Sequence, residues 1–179
     1  MKKKAVFLDR DGVINIDFGY VHTISAFEFC EGIFEFSTSA KKKGYHLIVV
    51  TNQAGIARGY YSENEFLKLS SWMCEQFQSN GSPISKVYFS PNHPVYGLGK
   101  YKTSDNRRKP GVGMILEAAN EFDLDLKKSI LIGDNRTDII AGLSAGIGCN
   151  ILFGNSLDIS DLGGEIRTVS SLFDAQKYL

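Results

Sequence analysis

The sequence predicts an α/β fold: a doubly wound (Rossmann-like), mostly parallel sheet flanked by helices. Three observations carry this expectation. Five short apolar runs, at residues 4–8, 45–50, 87–89, 129–133 and 149–153, read as buried strands. Amphipathic segments of helical period separate most of them, and such alternation implies right-handed βαβ units. Several runs also end in polar residues, at the strand ends where open α/β sheets place their ligands.

The first run, Lys4-Ala5-Val6-Phe7-Leu8, leads into Asp9-Arg10-Asp11-Gly12, where glycine lets the chain turn sharply. Two carboxylates one residue apart repel each other unless a cation joins them. The same residues also suit an Asx-type turn. Residues 14–29 form a long connection containing Asp17-Phe18-Gly19-Tyr20-Val21-His22, and connections of this length are usually functional. A helix is expected over 31–43, with Ile33, Phe34 and Phe36 apolar, Lys41 to Lys43 favouring its C-terminus and Gly44 stopping it. The second strand ends at Thr51-Asn52-Gln53, followed by a loop holding Gly55, Arg58 and Gly59. Ser62 and Glu65 have capping-box spacing and open a helix carrying Phe66, Leu69, Met73 and Phe77 at helical period.

After the third strand, residues 90–110 are polar and irregular, a second long loop. Met114, Ile115, Ala118 and Phe122 mark a helix over 111–122, and the fourth strand ends at Asp134. A helix over 135–145 is closed by Gly146. The fifth strand, a short strand at 167–169 and a helix over 171–178 complete the chain. One domain spanning 1–179, without an inserted lid, is expected.

Composition narrows the class. Apolar residues make up 43% and charged residues 22%, as in folded globular proteins. Twenty basic residues balance twenty acidic ones, so no global field favours nucleic acid or a membrane surface. No window has the length of a bilayer span, and the N-terminal stretch does not read as a signal peptide. Cys30, Cys74 and Cys149 are scattered, which suits reduced core thiols in the cytoplasm. A monomer acting on a small molecule is the default.

Four separated places carry polar residues at or beyond strand ends: Asp9 with Asp11, Thr51 with Asn52, Arg108-Lys109-Pro110, and Asp134 with Asp138. In this topology they converge on one crevice. Together they read as a site for a phosphate ester and a hard cation. Asp9 and Asp134 offer oxygens to Mg²⁺, which takes few protein carboxylates beside water and phosphate. Asp9 can attack phosphorus and form an aspartyl-phosphate, while Asp11 handles the leaving-group proton. Thr51 and Lys109 neutralise the transferring phosphoryl oxygens. Taken singly, Thr51-Asn52 also suits a turn, Lys109 a solvated charge and Asp138 an exposed helix position.

Asp9-Arg10-Asp11-Gly12-Val13, Thr51-Asn52-Gln53, Lys109-Pro110 and Gly133-Asp134-Asn135-Arg136-Thr137-Asp138 resemble the four motifs of the haloacid dehalogenase superfamily phosphatases. Residues 17–22, 51–59 and 108–110 narrow the resemblance to the heptose bisphosphate phosphatase branch, with the histidinol-phosphate phosphatases as neighbours. The resemblance implies Asp9 as nucleophile and Mg²⁺ ligand. It implies Asp11 as acid/base with its backbone carbonyl on the metal, Asp134 as the remaining ligand, and Thr51 and Lys109 around the phosphoryl group. It further implies a capless site whose substrate-binding residues are Asp17, Gly19, Tyr20, Asn52, Gln53, Arg58, Arg108 and Asn135. Arg108 suits the phosphate that is not cleaved, since guanidinium binds phosphate bidentately.

The implied reaction removes the 7-phosphate of a heptose 1,7-bisphosphate, for nucleotide-activated heptose of lipopolysaccharide or capsule, with the anomer open. Histidinol phosphate, or another small phosphomonoester, is the alternative substrate. A phospho-accepting switch domain of the receiver type also uses an acidic cluster, a Thr and a Lys. The first-strand position of Asp9, with Asp11 two residues on, and the 14–29 loop oppose that reading.

One departure stands out. Relatives of this branch usually hold a structural zinc in the loop after the third strand, through a Cys-x-His pair and a later Cys-x-Cys pair. Here Ser90, Asn92, Asp105 and Arg107 occupy those positions, none of them a soft ligand. The loop is expected to be zinc-free, held by hydrogen bonds and an Asp105–Arg107 or neighbouring ion pair.

Overall fold

Alternation along the first strand splits the core in two. In the computed structural model, which describes residues 2–154 and 158–179, Val6 and Leu8 face one side of the sheet and Ala5 and Phe7 the other. The one-turn helix α2 (Ala54–Ala57) apart, the first side packs helices α1 (Ile33–Lys42), α3 (Glu63–Ser79) and α6 (Leu172–Ala175) through Ile33, Phe36, Leu69, Met73, Phe77 and Leu172. The second packs α4 (Gly113–Glu121) and α5 (Arg136–Ala145) through Met114, Ile115, Ala118 and Ile139. Full burial of a side chain such as Phe36 or Phe77 contributes about 1.5–3 kcal/mol, so sheet packing rather than helix propensity holds these helices.

The sheet contains β1 (Lys4–Leu8), β2 (Tyr45–Asn52), β3 (Lys86–Ser90), β4 (Ile130–Gly133), β5 (Cys149–Phe153) and β6 (Ile166–Val169). All neighbours are parallel, in the order β3-β2-β1-β4-β5-β6. Phe7 lies opposite Ile48 on one side and Leu131 on the other. The chain therefore winds outward from β1 through β2 to β3, then crosses to β4. That reversal creates a crevice beyond the carboxyl ends of β1 and β4.

Most expected elements lie within a residue or two of their observed bounds. Thr51 and Asn52 end the second strand as expected, paired with Phe89 and Ser90 of β3, and the alternative of a turn does not hold. The C-terminal helix is shorter than expected, since α6 stops at Ala175 and tightens into a 3₁₀ turn over Gln176–Tyr178. Such 3₁₀ tightening is common in the last turn of a helix, where carbonyls lack α-helical partners. The capping box of α3 is complete: Ser62 Oγ accepts from the Glu65 amide, and the Glu65 carboxylate accepts from the Ser62 amide at 2.8 Å. The three cysteines are free and half-buried. Among the described residues, no helix is long and apolar enough to cross a membrane.

Candidate active site

Asp9 directly follows β1, and its backbone amide still bonds to the Ile132 carbonyl of β4 at 3.0 Å. Its carboxylate meets the Lys109 ammonium at 2.8 Å. That ammonium also lies 2.6 Å from Asp138 Oδ1 and donates to the Val50 carbonyl at 2.8 Å, so all three of its hydrogens are placed. Lys109 and Asp138 are both buried, and neither is the solvated charge that each could have been alone. Asn52 sets the approach of Lys109 to the sheet: it accepts from the Lys109 amide at 2.9 Å and donates to the Lys109 carbonyl at 3.0 Å.

Asp138 was expected only as a companion of Asp134, not among the site residues proper. It closes a capping box on α5, accepting from the Asn135 amide at 3.0 Å while its other oxygen holds Lys109. The Asn135-x-x-Asp138 spacing is the local signal that could have found it. Asp134 lies across from Gly12, whose φ is +83°. A Cβ there would sit 1.9 Å from an Asp134 oxygen, so the turn after Asp11 admits no side chain.

Oxygens of Asp9, Asp134 and Asp138 lie within 4.8 Å of one another. Burial, reinforced by the Asp138 charge, raises the Asp9 carboxyl well above its ordinary value despite Lys109 beside it. Burial and Asp138 also raise Asp134, to about 6. Burial opposes the charge of Lys109, but Asp138 and Asp9 outweigh it and hold the ammonium firmly protonated. An electron-rich oxygen cluster strained in this way fits a hard divalent cation such as Mg²⁺.

Asp11 stands apart from the cluster. Its two oxygens accept from Arg10 Nε and Nη2 at 2.8–3.2 Å, from Asn15 at 3.1 Å and from Gln53 at 3.1 Å. Arg10 is buried, anchored by a 2.6 Å bond to the Val21 carbonyl and lying over the Phe66 ring. Sequence reasoning assigned Arg10 no role.

A cavity of about 410 Å³ is lined by Asp9, Asp11, Asp17, Tyr20, Thr51, Asn52, Arg108, Lys109, Asp134, Asn135, Thr137 and Asp138. A second lobe of about 350 Å³ shares Asp11, Asp17, Tyr20, Asn52 and Arg108 and adds Gly19, Ala54 and Tyr61. A larger cavity, about 540 Å³, lies elsewhere, beside Lys2, Asn120 and Lys127, and contains none of these residues. Eleven of the expected site residues thus meet around one crevice: Asp9, Asp11, Asp17, Gly19, Tyr20, Thr51, Asn52, Arg108, Lys109, Asp134 and Asn135.

Gln53 and Arg58 depart from their expected place on the substrate walls. Gln53 is buried beneath Thr51 and lines neither lobe. Arg58 lies over the rings of Tyr96, at 4.2 Å, and Tyr20, at 5.8 Å, and so ties three loops together behind the wall.

The loop after β3 is hydrogen-bonded as expected, with a different ion pair. Asp105 accepts from the Asn92 side-chain amide and from the Arg107 and Arg108 backbone amides at 2.9 and 3.0 Å. Arg107 turns from Asp105 to Glu117 of α4, at 3.0 Å, because the Asp105 oxygens are already occupied. Ser90 is buried inside β3. The Asp105 carboxylate is thus engaged by amides and the Arg107 guanidinium by Glu117.

Comparison with known proteins agrees with this geometry. Residues 106–153 match the HAD-hydrolase-like family model. The D-glycero-alpha-D-manno-heptose-1,7-bisphosphate 7-phosphatase of Burkholderia mallei is 57% identical over 85% of this chain and 80% of its own. The D-glycero-beta-D-manno-heptose-1,7-bisphosphate 7-phosphatase of Vibrio cholerae is 43% identical over 100% of this chain and 97% of its own. Among solved structures, a HAD-like protein from Mesorhizobium loti superposes with a TM-score of 0.88 at 31% identity, covering 99% of this chain and 86% of that one. The D,D-heptose 1,7-bisphosphate phosphatase of B. bronchiseptica, solved with magnesium and phosphate, gives 0.82 at 25% identity, covering 97% and 96%. The chain therefore belongs to the haloacid dehalogenase superfamily of phosphatases, and within it to the D-glycero-D-manno-heptose-1,7-bisphosphate 7-phosphatase family.

Proposed function

We propose that this phosphatase hydrolyses the 7-phosphate of D-glycero-α-D-manno-heptose 1,7-bisphosphate, leaving the 1-phosphate for nucleotide activation. The observation that carries the reading is the convergence of Asp9, Thr51, Lys109 and Asp134 on one cavity beyond the strand ends. The α anomer is favoured by the relative of that name at 57% identity. The whole chain acts as one domain without a cap.

An Asp9 oxygen attacks the 7-phosphorus in line, and the bond from phosphorus to the sugar oxygen breaks as an aspartyl-phosphate forms. Asp11 gives its proton to the departing oxygen. It then takes one from the water that attacks phosphorus, and Asp9 and inorganic phosphate are released. The Thr51 hydroxyl and the Lys109 charge stabilise the phosphoryl oxygens during both transfers. Asp9, Asp134 and the Asp11 backbone carbonyl would hold Mg²⁺, which would neutralise the cluster and supply Lewis-acid polarisation of the phosphate.

The second lobe receives the sugar and the 1-phosphate, with Arg108 at its rim. Initial rates on both heptose bisphosphate anomers and on histidinol phosphate test the reading. The α-bisphosphate is expected to have the highest kcat/KM. Arg108→Ala should reduce its kcat/KM about 10- to 100-fold, with little change for histidinol phosphate. Equal losses on both substrates would remove Arg108 from recognition of the second phosphate.

The loop after β3 carries no structural zinc in this reading. Elemental analysis of purified protein should find no stoichiometric zinc, and chelation should leave its melting temperature unchanged once Mg²⁺ is restored. One zinc per chain would refute this.

A further inference from the structure

Gln53 was expected to touch substrate, yet it lies under the catalytic surface with every side-chain polar atom engaged. Its Nε2 donates to Thr51 Oγ1 at 2.8 Å and to Asp11 Oδ2 at 3.1 Å, and its Oε1 accepts from the Tyr61 hydroxyl at 2.6 Å. Chemistry dictates the direction of each bond. In its ionised form, the one that takes the water proton, Asp11 accepts from Arg10 and Asn15, so an amide nitrogen rather than an amide oxygen faces it. The amide oxygen then points to Tyr61, whose single hydrogen it takes. Burial raises the Tyr61 phenol to about 12, so that hydrogen stays in place.

Two features pin Tyr61. Its ring crosses Gly55, where a Cβ would lie 2.1 Å from ring Cε1, and it stacks on His22 with centroids 5.0 Å apart and planes 5° from parallel. Gly55 and His22 therefore seat the ring that orients the amide. The same geometry has a consequence at Thr51. Because Oγ1 accepts from Gln53, its own hydrogen is left for another acceptor, and Thr51 lines the cavity that receives the phosphoryl group.

We propose that Tyr61 and Gln53 are positioning residues: a buried relay that aims the Thr51 hydroxyl hydrogen at the transferring phosphoryl group and holds the Asp11 carboxylate beside the leaving oxygen. The inference rests on the phosphatase reading above. A donor aimed before the reaction needs no reorganisation as charge develops, so the relay acts on the transition state more than on substrate binding.

Steady-state kinetics on heptose 1,7-bisphosphate, with orthovanadate as the transition-state probe, test it. Tyr61→Phe keeps the ring and removes the hydrogen that fixes the amide. It is expected to reduce kcat about 10-fold, leave KM within about twofold, and weaken orthovanadate inhibition by about the factor lost from kcat. In a Thr51→Val background the same change should cost clearly less than in the wild type, because its target is gone. Gln53→Glu, of equal size but without donors, should lose about 100-fold in kcat.

Unchanged kcat in a folded Tyr61→Phe protein, a loss confined to KM, or full additivity with Thr51→Val would overturn the relay. If Tyr61→Phe does not fold, Gln53→Glu decides by the same criteria. A wild-type protein releasing no phosphate overturns the functional reading and the relay with it, whereas an active wild type with an indifferent relay overturns the relay alone.

Discussion

Asp9→Asn is expected to release phosphate at least about 10⁴-fold more slowly than the wild type, the scale of loss when a covalent nucleophile is removed. The fold should survive. Asparagine still accepts from the Arg10 amide, and Lys109 keeps Asp138 and the Val50 carbonyl. The sign of the stability change follows from the raised proton affinity of Asp9. In the metal-free folded protein this carboxyl keeps its proton to higher pH than in the unfolded chain. It thus contributes stability at low pH that fades as pH rises above its ordinary value of 3.8. The variant lacks that slope, so at pH 8 without metal it should melt at or above the wild-type temperature, and gain less from Mg²⁺. Phosphate-release assays and melts with and without chelator check both parts. Residual turnover near the wild-type rate would mean that another group attacks phosphorus.

Lys109→Met should lower kcat by about 10³-fold, through loss of the ammonium that the proposed mechanism sets beside the transferring group. Its effect on the metal runs the other way. Removing the ammonium leaves the oxygens of Asp9, Asp134 and Asp138 within 4.8 Å of one another without a protein cation among them. Breaking a buried pair costs about 3–5 kcal/mol, so the metal-free variant should melt far lower than the wild type. A divalent cation would supply the missing charge, and Mg²⁺ should therefore raise its melting temperature more than that of the wild type. Activity falls while metal dependence of folding rises. A variant that lost activity with no change in its response to Mg²⁺ would show that Lys109 serves only the phosphoryl group.

The parts of the site legible in the sequence are those where chain position dictates spatial position. Asp9, Thr51 and Asp134 sit at the ends of apolar runs, and a parallel sheet brings such ends to one edge. Lys109, on a long loop, was legible by motif, but its burial was not. That burial depends on Asn52 clasping the Lys109 peptide from another strand, a contact with no local signature. Asp138 could face inward or outward one turn beyond Asp134, and only its cap on Asn135 settles which. Gln53 follows Thr51 by two residues, so an extended chain carries it to the same side but deeper, towards Tyr61. Arg58 is held behind the wall by Tyr96, which arrives from the loop after β3. Nothing near Arg58 in sequence announces that partner.

The loop carrying Asp105 has a consequence for where the enzyme can work. Its hold on Arg108 runs through an aspartate, an asparagine amide and two backbone N–H groups, with a glutamate gripping Arg107 from α4. None of these groups is a thiol. Peroxide has no sulfur to attack there, and if the loop is zinc-free as proposed, a cell starved of transition metals withdraws nothing from it. A rim tied by carboxylates and amides offers oxidants no thiolate to attack.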